Sequence, residues 1–182
     1  MMAVATFVLA VIGAATGVGS LAWNVVSFMW QGGRPHLTPI IGILDLRGGL
    51  ASADASRDIR QSLASNAAEL PPGSPLVVGV SVVNAGRAPF HVARWELRSD
   101  PGATSFTSLE NMPGSQTVPC DIAPGASATF FTALNNAYAL EAAARSINGK
   151  PQRITVRVES GGRVYETDPI ASGNIALGAP RG

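Results

Sequence analysis

The first charged side chain in this sequence is Arg34; no Asp, Glu, Lys or Arg precedes it. The stretch before it, MMAVATFVLAVIGAATGVGSLAWNVVSFMW, is apolar from Met1 to Trp30. An uncharged run longer than about 18 residues can span a bilayer, because a helix rises about 1.5 Å per residue and the hydrocarbon core is about 30 Å thick. The sequence therefore predicts a transmembrane helix over 1–31, a juxtamembrane linker over 32–36, a folded domain over 37–170 and a flexible tail over 171–182. The run exceeds one span, so it should tilt or project past an interface. Trp23 and Trp30 sit toward its C-terminal end, where amphipathic rings prefer the headgroup level, and Gly32, Gly33 and Pro35 end the helix.

Two rival readings of the run are a cleaved signal peptide and the buried core helix of a soluble protein. A signal peptide wants a basic n-region and a short apolar core, and this run has neither. The expected localisation is thus the cell membrane, with a single pass. Orientation follows from flanking cations: only the α-amino group lies on the N-terminal side, whereas Arg34 and Arg47 follow the helix. The positive-inside rule then leans toward a cytoplasmic domain.

The small and polar residues of the run fall in a pattern. Thr6, Ala10, Gly13, Gly17, Ser20, Asn24, Ser27 and Gln31 follow one another at alternating spacings of four and three. That 3.5-residue period keeps one helix face turned toward a left-handed partner. Gly13 and Gly17 form a GxxxG, and Asn24 is the most polar member; an Asn facing lipid would leave its amide unsatisfied. The stripe predicts a helix-pairing seam, made either with a second copy of the chain or with another membrane helix. Against this stands composition alone, since Gly, Ala and Ser are common in membrane helices.

All 13 basic and 12 acidic residues lie beyond the run; they are scattered, and the net charge is +1. Nucleic-acid binding needs clustered cations, so no nucleic-acid partner is expected. Cys120 is alone, which excludes an intramolecular disulfide and leaves the redox compartment open.

In the domain, Leu37–Leu46 is apolar enough for a first strand. SADASRDIRQSLASNAAEL reads as a short helix or a mobile crossover, closed by Pro71, Pro72, Gly73 and Pro75. LVVGVSVVN is the clearest strand: Val78, Val80 and Val82 alternate with Val77, Gly79, Ser81 and Val83. In the NAGRAP turn, Asn84 and Gly86 tolerate positive φ. FHVARWEL resumes as one strand, with Trp95 and Leu97 toward the core. SQTVPCDI and ATFFTAL read as further strands. NNAYALEAAARSIN reads as a helix capped by Asn135 or Asn136 and ended by Asn148-Gly149. Gly161-Gly162 joins QRITVRVES and RVYETDPI as a hairpin, and the residues after Ile170 have little to bury.

Short strands separated by turn signals predict a mainly β fold: an antiparallel β-sandwich with one or two short helices. The run VSVVNAGRAPFHVARWEL resembles the strand–turn–strand of bacterial immunoglobulin-like modules, with their Asn-x-Gly-x-x-Pro turn. APGASATFF resembles the Pro-Gly turn and following strand of the same modules. The order of anchor and then one such module is similar to that of small membrane proteins of actinobacteria. The resemblance covers roughly 76–158 and implies an immunoglobulin-like fold without catalytic residues.

Little chemistry converges. His36 and His91 are the two histidines, and neither CxxC nor HExxH occurs, so no metal ligands are expected. Cys120 with His91 would be a nucleophile–base pair only if the fold joined them; the alternative is a small hydrophobe in a core strand. Gly48-Gly49 and Gly161-Gly162 lack the lysine and helix of a phosphate loop and read as turns. Arg94, Glu96 and Arg98, like Arg153, Arg157 and Glu159, read as the solvated face of a sheet or as a rim for an acidic partner. No catalytic residue and no cofactor is expected. The function expected is a non-enzymatic, membrane-tethered interaction module, an accessory subunit of a membrane or envelope assembly. The alternative is a ligand-binding or sensory domain with a pocket between the sandwich and the 136–147 helix.

Overall fold

The structure, a computed structural model, describes residues 2–30, 32–45, 49–69, 74–108 and 112–179. The apolar run forms helix α1, Met2–Trp30, of 29 residues. At 1.5 Å per residue it is about 43 Å long, more than the bilayer core requires. It is long and apolar enough to cross a membrane, and none of its most apolar window, Ala10–Ser27, is buried. α1 therefore takes no part in the core of the domain.

Strand β1, Pro35–Leu44, follows after a short linker, and β2, Leu50–Asp54, returns beside it. The sequence predicts no strand in SADAS. It forms because β1 offers an open edge, although Ala51, Ser52 and Ala53 all stay exposed. Helix α2, Arg60–Glu69, realises the helical alternative for the polar stretch and places Leu63 in the core. β3, Leu76–Asn84, pairs with β1 on one side and with β8, Ser127–Ala133, on the other. The first sheet thus runs β2-β1-β3-β8, antiparallel throughout. Val78, Val80 and Val82 face the main core, as their period of two requires. Val77 turns to the other face and joins Leu44 and Phe131 in a smaller cluster, with Leu50 and Met112 against it.

The expected strand FHVARWEL is two strands, β4, Phe90–Val92, and β5, Arg94–Asp100. The slip lies at Ala93, whose N–H bonds Glu159 O at 2.9 Å. It shifts the alternation by one residue, so Phe90 and Val92 are buried before it and Trp95 and Leu97 after it. β5 pairs with β6, Ser105–Phe106, and with β9, Arg153–Ser160; β9 pairs with β10, Arg163–Glu166. The second sheet is β10-β9-β5-β6. Between β9 and β10, Gly161 (φ 53°) and Gly162 (φ 77°) both take left-handed backbone, as a two-residue hairpin demands. β7, Cys120–Ile122, is shorter than SQTVPCDI suggested and pairs with β4 alone.

Both sheets feed one core: Ile41, Val80 and Phe130 from the first meet Leu97, Val156 and Val158 from the second. Helix α3, Leu134–Asn148, follows β8 without a loop. Neither Asn135 nor Asn136 caps it. Its N-cap is Ala133, still extended at the end of the strand, and Asn136 Nδ2 donates to Thr132 Oγ1 at 2.8 Å. The Gly149 C-cap is as expected, left-handed with its N–H on Arg145 O. Leu134, Ala137, Leu140 and Ala144 are buried along the inner side of α3.

The residues after Ile170 correct the expectation of a loose tail. Ser172–Ile175 forms a helical turn, α4, followed by a 3-10 turn over Ala176–Gly178. Asn174 and Ile175 are buried. Asn174 Oδ1 accepts the Ile59 N–H, while its Nδ2 donates to Ala55 O and Arg57 O. Ala171 N–H adds a bond to Ala55 O. Residues 180–182 lie outside the described residues.

The edges of both sheets are covered or short. On β8, Gln116 N–H donates to Thr129 O at 2.9 Å and Ser115 Oγ accepts the Phe131 N–H at 3.1 Å. β2, β6 and β10 have five, two and four residues.

Candidate functional site

Of the predicted seam, Ala10, Gly13, Gly17, Ser20 and Asn24 are exposed and Ser27 is half-buried; the side chain of Thr6 and all of Gln31 lie outside the described residues. A Cβ on Gly13 or Gly17 would meet nothing within 4 Å, so no contact within this chain requires those glycines. Thr16, the one neutral polar residue off the stripe, bonds its own helix through Oγ1 to Ile12 O at 2.8 Å. Trp23 is exposed, and the side chain of Trp30 lies outside the described residues.

Where the chain leaves the helix, it lies against the domain. The hub is Asn84, fully buried at the end of β3. Its Oδ1 accepts the N–H of Arg34 at 3.2 Å and of Gly86 at 3.0 Å. Its Nδ2 donates to Ala88 O at 2.8 Å and Ile122 O at 2.9 Å. The backbone completes the clamp, with Ala85 N–H on Arg34 O and Gly125 N–H on Asn84 O. One residue, through side chain and backbone, thus ties together the linker, the NAGRAP turn, the end of β7 and the Pro124-Gly125 turn. The reading of Asn84 and Gly86 as positive-φ turn residues is corrected, because neither has positive φ. Gly86 is needed for proximity instead: a Cβ there would overlap Arg34 N and Gly32 O. A Cβ on Gly33 would press on Pro89 O and Phe90 at about 3.2–3.3 Å.

β1 carries the chain ten residues, about 33 Å, away from the helix before Asp45 N–H closes on Gly49 O. Arg47 itself lies outside the described residues. Arg34 stays at the near end, exposed.

His91 and Cys120 do not form a pair. Cys120 is the register partner of Val92, turned toward the core, whereas His91 is opposite Asp121 on the solvent side. His91 Nδ1 lies 2.7 Å from Asp121 Oδ1, both side chains exposed. Burial, and then the Asp121 carboxylate, push the Cys120 thiol above its ordinary value, which disfavours thiolate. Cys120→Ser is therefore expected to cost at most about 1–3 kcal/mol in a denaturant titration. It should leave any binding function unchanged, and loss of function at full stability would contradict a structural role. Among the described residues no group of three or more His, Cys, Asp or Glu is placed to hold a metal.

The outer face of the second sheet is a ladder of charges. Arg94 Nη2 reaches Glu159 Oε1 at 2.7 Å, Arg157 Nε reaches Glu166 Oε2 at 3.2 Å, and Thr155 Oγ1 donates to Glu166 Oε1 at 2.7 Å. Arg153 pairs with Asp100, and Glu96 stands opposite Arg157. Such partly exposed pairs contribute little each. They give the arginines internal acidic partners, but Glu96 is buried and Arg98 and Arg157 are half-buried, which corrects the expectation of a uniformly solvated face.

No family model matches this chain, and neither a curated protein nor a solved structure shows significant similarity to it.

Proposed function

We propose that this chain is a single-pass, membrane-tethered interaction module without enzymatic activity, an accessory component of a membrane or envelope assembly. The observation that carries the reading is α1: uncharged, long enough to span a bilayer, and wholly outside the domain core. The clamp of Asn84 on Arg34 adds to it, because it seats the domain directly where the helix ends. Two antiparallel sheets around one core, with β3, β4 and β8 at the places of the resemblance, support an immunoglobulin-like sandwich as the finer fold. That resemblance extends to small actinobacterial membrane proteins with one such module. Arg34 beside the helix end favours a cytoplasmic domain.

The anchor is tested by fractionation. The chain is expected to keep Met1–Trp30 and to remain in the membrane through high-salt and carbonate washing; a soluble form beginning after Ser20 would exclude it. Side is read with a Cys120→Ala, Ser172→Cys chain, Ser172 being exposed at the start of α4. An impermeant thiol reagent should not label it in intact cells, and labelling would place the domain outside.

Assembly is tested on the seam. Gly17→Ile puts a branched side chain where backbones would touch and should reduce association in a membrane reporter assay. Val18→Ile, off the stripe, should not. Asn24→Leu should weaken association by about 0.6–2 kcal/mol, the usual worth of an interhelical polar contact. Equal behaviour of the three variants would reduce the stripe to composition. Native co-purification in mild detergent then identifies the partner, and a lone monomer would count against an assembly role.

A further inference from the structure

We propose that the end of the domain from which the helix departs docks on anionic phospholipid headgroups through Arg34, Arg87 and Arg163. This rests on the membrane reading above. β3, β7 and β9 run toward this end: β1 and β4 start there, β3 and β9 oppose β1 and β5, and β7 opposes β4. Each hands over to a turn there. Arg87 lies in the turn after β3, and Arg163 opens β10 directly after the Gly161-Gly162 hairpin tip. Ring contact joins the two sides, since Phe90 meets Tyr165 edge to face at 5.4 Å while a Cβ on Gly33 would press on Phe90. The linker, the Arg87 turn and the foot of β10 thus form one surface around the helix exit.

Charge on this surface is one-sided. Arg34, Arg87 and Arg163 are exposed and, among the described residues, make no ion pair. Of the acids on the adjoining strands, Asp121 is engaged by His91, Glu159 by Arg94 and Glu166 by Arg157. Cations held within a Debye length, about 8–10 Å, of an anionic leaflet are attracted to it. A tether that ends against this same surface delivers it to that distance. Sequence alone does not assemble the three, because they are far apart along the chain.

The test uses the full chain carrying Cys120→Ala and Ser127→Cys. Ser127 is exposed and stands opposite Val83 at this end. A fluorophore at that cysteine is read in vesicles of phosphatidylcholine alone or mixed with phosphatidylglycerol, each with a headgroup-linked quencher. Quenching should be stronger in the anionic vesicles and should fall as salt is raised. Arg87→Gln and Arg163→Gln should each lower the docked-to-undocked ratio about fivefold, the equivalent of about 1 kcal/mol per surface cation. A chain that floats with the vesicles but is quenched equally in both lipids, or ignores salt, overturns the docking surface and leaves the anchor standing. A chain that does not float overturns the anchor and this inference with it. Should either Gln variant lose its β circular dichroism, the salt titration of the labelled parent decides alone.

Discussion

Asn84→Ala is expected to destabilise the domain by about 3–5 kcal/mol. The side chain is fully buried and makes four hydrogen bonds, two accepted from Arg34 and Gly86 and two donated to Ala88 and Ile122. Removing it orphans two donors and two acceptors, each costing about 1–3 kcal/mol where water cannot replace the amide. Some of the four lie next to exposed turns and regain water, which keeps the total below a simple sum. Asn84→Asp should not rescue. A carboxylate accepts from Arg34 and Gly86 but offers nothing to the two carbonyls, and it adds a buried charge. Urea unfolding of the full chain in mild detergent, followed by β circular dichroism, measures both variants. A loss under about 1 kcal/mol for Asn84→Ala would mean that the hub is incidental.

The second large effect is expected at the other end of the chain. Asn174→Ala should cost about 2–4 kcal/mol, since Oδ1 holds the Ile59 N–H and Nδ2 holds the Ala55 and Arg57 carbonyls in a buried site. Truncation after Ile170 should cost at least as much, because it also exposes the pocket of Ile175, which is 1% accessible. Hydrogen exchange localises the effect: the Ile59 amide should lose protection in both variants. Unchanged protection, or a truncated chain as stable as the parent, would show the segment to be dispensable.

These two amides mark where the sequence stopped being legible. The apolar helix, the alternating valines of β3 and the Gly161-Gly162 hairpin could be read because each is encoded locally, by length, by period or by a backbone requirement. β2 could not: LASAD has no β-branched residue and stays exposed after Leu50, so the edge of β1 makes it a strand. Ala93 broke the reading of Phe90–Leu97 because constant alternation was assumed across a slip. Asn84 looked like a turn residue and Asn174 like part of a loose end, since both act on backbone groups, which every residue possesses. Their partners lie as far as 119 residues away. The same holds for the helix-exit surface. Arg34 was visible beside the anchor, but Arg87 and Arg163 reach it only through strand direction.

The covering of β8 has a consequence for crowding. A domain tethered to a bilayer, as proposed for this chain, would meet its own copies in two dimensions, at local concentrations far above those of a dilute solution. An open strand edge would then template strand exchange between neighbours, and such growth would not stop at a pair. Ser115 and Gln116 occupy two of the groups on β8, the Phe131 N–H and the Thr129 carbonyl, that a neighbour's strand would need. Strand exchange along that flank would thereby be disfavoured.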